Sequence, residues 1–365
     1  MKYKLGNLIK QRREKNSGDS LPIYGISKDG FIPPKQIDAD TSIYNMFYRN
    51  DFVYNPARME LGSIAYNDKV DKAICSSLYE MFYVYREDIL LPQYLALIIK
   101  TKWFSDYCNF LSNGSAREYC RFRDISQIYI NIPNLDEQRK IIKQCLEIKK
   151  RIDVLGKINN LLFKIMNLNY KKMKKDNEPV NSCKLEDFCE FQEGYVNPPQ
   201  DNPEYFDGEI NWLRAGDVNE SFIVKTERTL TLKGFESAKK SAILFKPGTF
   251  AITKSGVIGR LGIISSEMCG NRAVINIKPK DEKLSNYIYL LLKDIQPDII
   301  EMGTGSAQKN LYVSILQNIQ FNYPKENIIY RFSEDIKPIF KNIEQNCKEI
   351  TILNNILELR LDSII

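Results

Sequence analysis

The amino-acid sequence contains an internal repeat, which constrains the fold more than any other feature. Residues 113–117 (Asn-Gly-Ser-Ala-Arg) return 191 residues later as residues 304–308 (Thr-Gly-Ser-Ala-Gln). Residues 61–64 match residues 258–261 at a spacing of 197 residues. Because these spacings differ by only a few residues, we interpret the chain as two copies of one unit with small insertions. Two copies are too few for a solenoid, and they favour a pseudo-twofold protein that holds two similar modules a fixed distance apart.

Length and composition narrow the possible classes of protein. A chain of 365 residues has room for two domains of about 180 residues, each able to bury its own core. The net charge of +6 is compatible with an acidic partner. The eight cysteines lack a Cys-x-x-Cys pair, which argues against a disulfide framework or a zinc module. Since no apolar run approaches about 18 residues and no signal peptide is evident, we expect a soluble cytoplasmic protein without a membrane segment.

The absence of histidine argues against an enzyme. It excludes Ser–His–Asp and Cys–His catalysis and histidine metal sites. We therefore expect no catalytic residue, no metal and no cofactor. Residues 55–58 and 197–200 begin like the Asn-Pro-Pro-aromatic motif of amino methyltransferases, but both lack the aromatic residue. Residues 256–262 are glycine-rich without the Lys-Ser/Thr of a phosphate loop, and we interpret them as a hairpin turn.

The apolar pattern predicts two mixed α+β modules, rich in β-branched and aromatic residues. Helices are predicted at Pro92–Phe104 and Leu284–Asp294. The predicted strands are Ile43–Tyr48, Phe52–Tyr54, Ser63–Tyr66 and Leu78–Tyr85 in the first copy and Ile243–Thr253, Gly262–Ser265 and Ala273–Pro279 in the second.

Each module is followed by a stretch whose apolar residues repeat every seven positions. Five or more heptads of this kind predict a coiled coil. We expect modules at 1–133 and 179–324, with long helices at 134–178 and 325–365 that pair antiparallel. Pro338 is expected to kink the second helix without ending it. Asn159 and Asn354 occupy matching seam positions, and a polar residue in an apolar seam can fix its register. Two ordinary core helices are the alternative.

Basic and amide side chains on predicted loops are the remaining candidates for function. Arginine can read guanine, glutamine can read adenine, and lysine neutralises phosphate. Individually, each is also consistent with ordinary surface solvation. The candidates are Arg12, Arg13, Lys28, Lys35, Arg49, Arg58, Arg117, Arg121 and Arg123 in the first copy, and Arg214, Lys225, Lys239, Lys240, Lys254, Arg260, Arg272, Gln308 and Lys309 in the second. Arg58 and Arg260 stand out because both fall on a predicted glycine-bearing hairpin.

These motifs resemble a known family in both halves of the chain. Residues 132–141 (Ile-Pro-Asn-Leu-Asp-Glu-Gln-Arg-Lys-Ile) are similar to the junction between a target-recognition domain and a long helix in specificity subunits of type I restriction–modification systems. The Gly-Ser-Ala strings, the glycine-bearing hairpins and the opening of the second copy at residues 184–188 are also similar to that family. Residues 323–327 depart from it because they lack the Glu-Gln pair, so the second half could dock partners differently.

The resemblance implies a function that the residues alone do not give. It implies two target-recognition domains, each reading half of a split double-stranded DNA site. It further implies that the helices space these domains and dock two methyltransferase subunits, which recruit motor–nuclease subunits, and that this chain does no catalysis. A coiled-coil adaptor that organises a protein assembly without DNA is the alternative, and a solitary methyltransferase is a more distant one. Base contacts cannot be carried over, because recognition residues vary within the family.

Overall fold

The computed structural model of the chain describes residues 1–28, 30–38, 40–112, 119–304 and 310–364. The chain packs as two compact units, one formed by Met1–Arg151 with Leu353–Ile365 and the other by Ile152–Ile352. Each unit contains one module and a part of each of two long helices. The boundary between the units therefore lies within the long helices.

The first module is built from two sheets and a short closing ladder. Its strands are β1 (Lys2–Lys4), β2 (Ile9–Arg12), β3 (Ile23–Ser27), β4 (Gly30–Ile32), β5 (Asn45–Tyr48), β6 (Phe52–Tyr54), β7 (Ile64–Tyr66), β8 (Lys72–Cys75), β9 (Glu80–Val84) and β10 (Tyr129–Asn131), and its helices are α1 (Pro92–Ile98), α2 (Lys102–Ser112) and α3 (Phe122–Ile125). One sheet has the order β2-β9-β6-β7 and the other β4-β3-β8-β5. The first and last strands, β1 and β10, pair antiparallel and close the module.

The first long helix, α4 (Leu135–Asp176), leads into the second module. The strands of this module are β11 (Asn181–Lys184), β12 (Cys189–Glu193), β13 (Phe206–Leu213), β14 (Phe222–Ile223), β15 (Thr229–Leu230), β16 (Leu244–Phe245), β17 (Phe250–Thr253), β18 (Leu261–Ile264), β19 (Met268–Gly270), β20 (Val274–Pro279) and β21 (Gln320–Tyr323). Its helices are α5 (Leu185–Phe188), α6 (Leu232–Glu236), α7 (Ser285–Asp294), α8 (Gln296–Thr304) and α9 (Val313–Gln317), and the second long helix, α10 (Glu326–Asp362), follows.

The two modules have the same sheet topology. The orders β12-β20-β17-β18 and β15-β13-β19-β16 in the second module correspond strand for strand to β2-β9-β6-β7 and β4-β3-β8-β5 in the first. In each module one sheet contains a parallel pair, β3 with β8 and β13 with β19. The second module adds β14, which pairs parallel with β18. The expected fold class, two similar mixed α/β modules with two long helices, is therefore confirmed.

The glycine-bearing hairpins of the repeat also correspond in register. The pairings of β6 with β7 and of β17 with β18 align Ile64 with Leu261. This alignment makes Gly62 equivalent to Gly259, and both have left-handed backbones, with φ of +66° and +83°. Glycine tolerates this conformation because it has no Cβ. The interpretation of residues 256–262 as a hairpin turn is confirmed.

Two predicted elements are wrong because polar or turn-forming residues interrupt them. The helix predicted over Pro92–Phe104 ends at Ile98 and a new helix begins at Lys102. Thr101 lies at this break, where its Oγ1 donates a hydrogen bond to the Ile98 carbonyl (2.7 Å) and accepts one from the Phe104 amide (3.2 Å). A capping hydroxyl of this kind satisfies amides that start a new helix.

The second wrong element is the strand predicted over Ile243–Thr253. It is divided into β16 and β17 by the segment 246–249, which contains Pro247 and Gly248. Gly248 has a φ of +83°, which a continuous strand does not permit. Phe245 ends β16 in one sheet, and Phe250 starts β17 in another. The turn therefore moves the chain between sheets.

The junction between the first module and α4 is held by one buried amide side chain. The Asn134 side chain caps the helix by accepting a hydrogen bond from the Glu137 amide (2.9 Å). Gln138 is fully buried, and its Oε1 accepts a hydrogen bond from the Leu91 amide (2.9 Å). Its Nε2 donates to the carbonyls of Ile89 (2.7 Å) and Pro133 (2.9 Å). These three bonds fix the start of α4 against the module.

The second junction uses an apolar residue at the equivalent position. Ile329 stands 191 residues after Gln138, in the first turn of α10, and it is also fully buried. It packs in the core of its unit with Leu316 and Phe321. The second junction, which lacks the Glu-Gln pair, therefore has a hydrophobic anchor where the first junction has a hydrogen-bonded one.

Within each unit, the segments of α4 and α10 pack side by side in opposite directions. In the second unit Tyr170 lies 6.0 Å from Phe332 between ring centroids, and Asn159, earlier in α4, contacts Cys347, later in α10. The first unit shows the same direction, since Ile141 packs in one core with Leu357, Leu361 and Ile364. α10 continues through Pro338 to Asp362. The expected antiparallel helix pairing is thus present in each unit.

Candidate nucleic-acid interface

A polar cleft of about 490 Å³ opens on the first module, and we call it the first cleft. It is bordered by the end of β2, the start of β5, the start of β9 and the segment that follows β6. Its lining is rich in side chains that donate or accept hydrogen bonds. These are Gln11, Arg12, Arg13, Lys15, Asn45, Asn55, Ser77, Tyr79, Glu80, Tyr119 and Arg121.

Glu80 organises one wall of the first cleft. Its carboxylate accepts hydrogen bonds from Arg121 Nη1 (3.0 Å), the Phe122 amide (2.8 Å) and the Tyr54 hydroxyl (2.9 Å). The Arg121 guanidinium also lies 4.8 Å from the centroid of the Tyr119 ring. Because the Arg121 side chain remains 49% exposed, these contacts orient a guanidinium that can still meet a ligand.

Arg12 lines the same cleft, but its contacts serve the fold. Its Nε and Nη2 donate to the two carboxylate oxygens of Asp51 (2.6 and 3.0 Å). The guanidinium lies between the rings of Tyr48 and Tyr83, 4.7 and 4.6 Å from their centroids. Burial raises the pKa of Asp51 above its usual value, although the Arg12 guanidinium opposes this shift. Arg12 therefore compensates a buried carboxylate.

The equivalent surface of the second module carries a different set of side chains. The Cys120 amide donates a hydrogen bond to the Pro56 carbonyl (3.0 Å), and the Leu311 amide donates one to the Lys254 carbonyl (2.9 Å). Because the two hydrogen bonds correspond, Pro56 and Lys254 are equivalent positions of the two modules. The same correspondence identifies Arg121 with Tyr312. At these positions Lys254 Nζ lies 5.7 Å from the centroid of the Tyr312 ring.

Glu193 links the side chains of this second surface. It accepts hydrogen bonds from Lys254 Nζ (2.7 Å) and from the Tyr195 hydroxyl (3.0 Å). Burial alone would raise its pKa, but these two hydrogen bonds hold the net pKa of Glu193 below its usual value. Extended by one residue past the end of β2, the strand registers make Glu193 equivalent to Arg13 of the first module, so an acidic side chain replaces a basic one.

Arg58 and Arg260 lie on equivalent hairpins but at different positions in them. Arg58 is exposed and stands four residues before Gly62, in a 3-10 segment, Pro56–Leu61. Arg260 is half-buried and directly follows Gly259. The backbone amide of Arg260 donates to Thr253 Oγ1 (2.8 Å), and this bond holds the turn.

The other sequence-predicted residues are distributed over both modules. Arg49 is exposed and bonds to Asp71 Oδ1 (2.8 Å), and Arg214 bonds to Glu227 Oε2 (2.7 Å). The exposed candidates are Arg13, Lys28, Lys35, Arg123, Lys225, Lys239, Lys240 and Arg272. Arg117, Gln308 and Lys309 lie outside the described residues, as do residues 113–117 and 305–308 of the repeated strings.

Asn159 and Asn354 differ in their surroundings. Asn159 is buried, its Oδ1 accepts a hydrogen bond from Asn346 Nδ2 (2.7 Å) and its Nδ2 donates to Cys347 Sγ (3.5 Å). Asn354 is exposed. Asn159 thus has polar partners inside the second unit, a local arrangement that tolerates a polar residue in an apolar seam.

Sequence reasoning missed Glu80, Glu193, Tyr119 and Tyr195. Glu80 starts the mostly apolar strand β9 and Glu193 ends β12, and a carboxylate without a cation nearby in the sequence is the available signal at both positions. Tyr119 lies against the Arg121 guanidinium and Tyr195 bonds to Glu193, and each of these partners is only two residues away in the sequence. The two glutamates, in contrast, bind Arg121 and Lys254 from distant parts of the chain, so residue type and local spacing could not identify them.

The described residues show no sign of metal or membrane sites. They contain no group of three or more His, Cys, Asp or Glu residues that could hold a metal ion. Within the described ranges, no helix combines the length and the apolar character needed to cross a membrane. Burial raises the pKa of the thiols of Cys189 and Cys269 to about 12, so these cysteines are protonated near neutral pH.

Comparison with known proteins identifies this architecture. Among solved structures, the S subunit of a type I restriction–modification system from M. genitalium aligns with 100% of this chain and 95% of that chain, with a TM-score of 0.59 and 16% identity. This similarity shows a shared fold. The chain therefore has the same fold as that S subunit, with two copies of an α/β module that are each followed by a long helix.

Sequence comparison gives the family. The protein-family model described as the type I restriction modification DNA specificity domain matches residues 2–163 and 177–358 of this chain. The chain is 24% identical to the MjaIX specificity subunit of Methanocaldococcus jannaschii, over 76% of this chain and 69% of that protein. It is 21% identical to the HindI specificity subunit of Haemophilus influenzae, over 86% and 85%. The chain therefore belongs to the type I restriction–modification DNA specificity family, with two copies of its domain.

Proposed function

We propose that this chain selects a bipartite DNA site for a type I restriction–modification complex, with each module reading one half-site. Residues 1–133 and 179–324 act as the two target-recognition domains. Helices 134–178 and 325–365 separate them and dock two methyltransferase subunits, and motor–nuclease subunits join through that complex. The chain itself supplies specificity and no catalysis, which agrees with a sequence without histidine.

The single observation that carries this proposal is that the modules share their topology but differ at equivalent surface positions. Arg13 and Arg121 of the first module correspond to Glu193 and Tyr312 of the second. Base edges in the major groove present distinct patterns of donors and acceptors, so different side chains on the same scaffold read different sequences. Two copies with identical surfaces would instead predict two identical half-sites.

Replacing one module by the other tests the proposal within this chain. The cut points follow from equivalent hydrogen bonds, Leu5 amide to Ile128 carbonyl (2.8 Å) and Leu185 amide to Ile319 carbonyl (2.9 Å). A chain with residues 5–128 in place of residues 185–319 should direct methylation, with its methyltransferase partner, to a site that contains the first half-site twice. Methylation mapping that still shows the parental second half-site would contradict the proposal.

The reciprocal replacement is the matched control. A chain with residues 185–319 in place of residues 5–128 should direct methylation to a site that contains the second half-site twice. Both variants keep the two long helices, so loss of activity in both would indicate misfolding, which thermal unfolding measures independently. DNA binding that falls steeply with salt concentration distinguishes DNA recognition from a protein adaptor.

The hairpin arginines provide a test at single residues. Arg58→Ala or Arg260→Ala should weaken duplex binding by about 1–3 kcal/mol if the side chain contacts guanine through two hydrogen bonds. A phosphate contact would instead give a uniform loss over all sequences and a smaller salt dependence. Arg331→Ala, at an exposed position of α10, is the control and should leave binding unchanged. Unchanged binding in both hairpin variants would exclude the hairpins from the interface.

A further inference from the structure

A second apolar stripe lies on α4, on its exposed side. In the second unit, Val154, Ile158, Leu161, Ile165 and Leu168 have exposed fractions between 39% and 66%. Their spacing alternates between four and three residues, which is the spacing of a coiled-coil seam. Single exposed aliphatic residues are ordinary, but a continuous seam of five exposed residues indicates a binding surface. We call these five residues the outer seam.

Lysines flank the outer seam at every heptad. If Ile158 and Ile165 are a positions and Leu161 a d position, then Lys157, Lys164 and Lys171 are g positions. All three are exposed and have no hydrogen bond or ion pair with any described residue. Successive lysines are separated by about 10.5 Å along the helix axis. In the first unit, the same sequence spacing continues to exposed residues Lys150 and Lys143.

This arrangement fits a helix better than it fits DNA. Side chains at g positions form ion pairs with the partner helix and determine its identity, while the a and d residues bury apolar surface. DNA phosphates wind around the duplex and would meet a straight row of lysines only where the backbone crosses it. They would also leave the five aliphatic residues without an apolar partner.

Two acidic side chains of α10 in the second unit already have lysine partners. Within the second unit, Glu334 of α10 pairs with Lys337 (3.1 Å), and Glu344 pairs with Lys348 (2.7 Å). These acidic side chains are therefore already neutralised by lysines of their own helix. A helix that binds the outer seam must bring carboxylates that face Lys157, Lys164 and Lys171.

We propose that the outer seam binds an acidic amphipathic helix of the methyltransferase partner. This inference rests on the proposed docking function and specifies the chemistry of the docking element. The partner helix carries aliphatic residues at its a and d positions and glutamate or aspartate at the positions that face the three lysines. Assembly is consequently weakened by salt as well as by loss of apolar contacts.

Charge reversal on the full-length chain tests this assignment. The variant Lys157→Glu/Lys164→Glu/Lys171→Glu should bind the methyltransferase subunit about tenfold or more weakly than the parent chain, because like charges then face each other. The control variant Lys246→Glu/Lys280→Glu/Lys283→Glu changes three exposed lysines outside both long helices by the same charge and should keep parental affinity. Equal affinities for the two triple variants would overturn the assignment and leave the docking function intact.

Synthetic helices distinguish the possible occupants. A peptide of about four heptads with leucine at a and d and glutamate at e and g should bind the parent chain, and its lysine counterpart should bind the charge-reversed variant instead. Duplex DNA should bind the two triple variants equally, since they carry the same net charge and the outer seam is not a DNA surface. Loss of DNA binding in the outer-seam variant alone would overturn the proposal in favour of DNA. Self-association of the parent chain that is lost in the outer-seam variant alone would overturn it in favour of a second copy. A parent chain that binds no methyltransferase but binds the acidic peptide would refute the docking function and with it the proposed occupant.

Discussion

Replacement of Gly259 by alanine tests whether the hairpin β17–β18 is packed as the structure shows. Gly259 has a φ of +83°, and an alanine in that region costs about 1–2 kcal/mol. Its new Cβ would also lie 2.4 Å from Cγ1 and 3.3 Å from Cδ1 of Ile300. Overpacking of this kind costs typically about 1–3 kcal/mol. We expect Gly259→Ala to lower the free energy of unfolding of its unit by about 2–5 kcal/mol.

The equivalent glycine of the first module is the control. Gly62 has a φ of +66°, but apart from its chain neighbours no described heavy atom lies within 4 Å of an added Cβ. Gly62→Ala should therefore cost only the backbone term, about 1–2 kcal/mol. Ile300→Ala in the Gly259→Ala background removes the clashing side chain and should restore about 1–3 kcal/mol.

The two tryptophans allow each unit to be measured separately. The sequence contains two, Trp103 in the first unit and the buried Trp212 in the second, where its indole donates a hydrogen bond to the Val196 carbonyl (2.7 Å). Urea unfolding followed by fluorescence, in Trp103→Phe and Trp212→Phe backgrounds, gives one transition for each unit. Equal losses for the two glycine variants, or no recovery with Ile300→Ala, would refute the packing argument.

Three further predictions concern stability. Gln138→Ala should destabilise the first unit by roughly 3 kcal/mol in urea unfolding, because it leaves buried backbone groups without partners. Gln144→Ala, on the exposed side of α4, is the control and should cost under about 1 kcal/mol. Gly156→Ala should stabilise α4 by about 1 kcal/mol, since an added Cβ meets no described atom within 4 Å, and an unchanged urea midpoint would contradict this. The pKa of Glu193 is lower in the folded chain than its unfolded value of about 4.3, so the ionised carboxylate stabilises the fold above that pH. This stability is lost as the pH falls through the folded pKa. Glu193→Gln should therefore flatten the decline of stability on the acid side in a pH series of unfolding curves.

The sequence was sufficient for the features that depend on periodicity or repetition. The long helices, the repeated modules and the glycine hairpins each have a local signal, either a seven-residue spacing or a residue type required by the backbone. The Thr101 break was missed because the apolar spacing continues through it, and the hydrogen bonds that divide the helix depend on one hydroxyl.

The contacts of the candidate site could not be predicted in the same way. Arg12 was a candidate DNA ligand by residue type, but Tyr48, Asp51 and Tyr83 surround it only after β2, β5 and β9 come together. Glu80 likewise meets Arg121 from 41 residues away. Pairings of this kind depend on tertiary structure, whereas residue type and spacing record only local order.

The closing ladders have a consequence for how such a chain can change over generations. β1 pairs with β10, and β11 pairs with β21, so the first and last strands of each module lie side by side. A genetic crossover within each of two such paired strands replaces everything between them while the flanking helices keep their positions. Under the proposed function, a new specificity would then arise by recombination in one step, without a series of intermediates that must each fold and assemble.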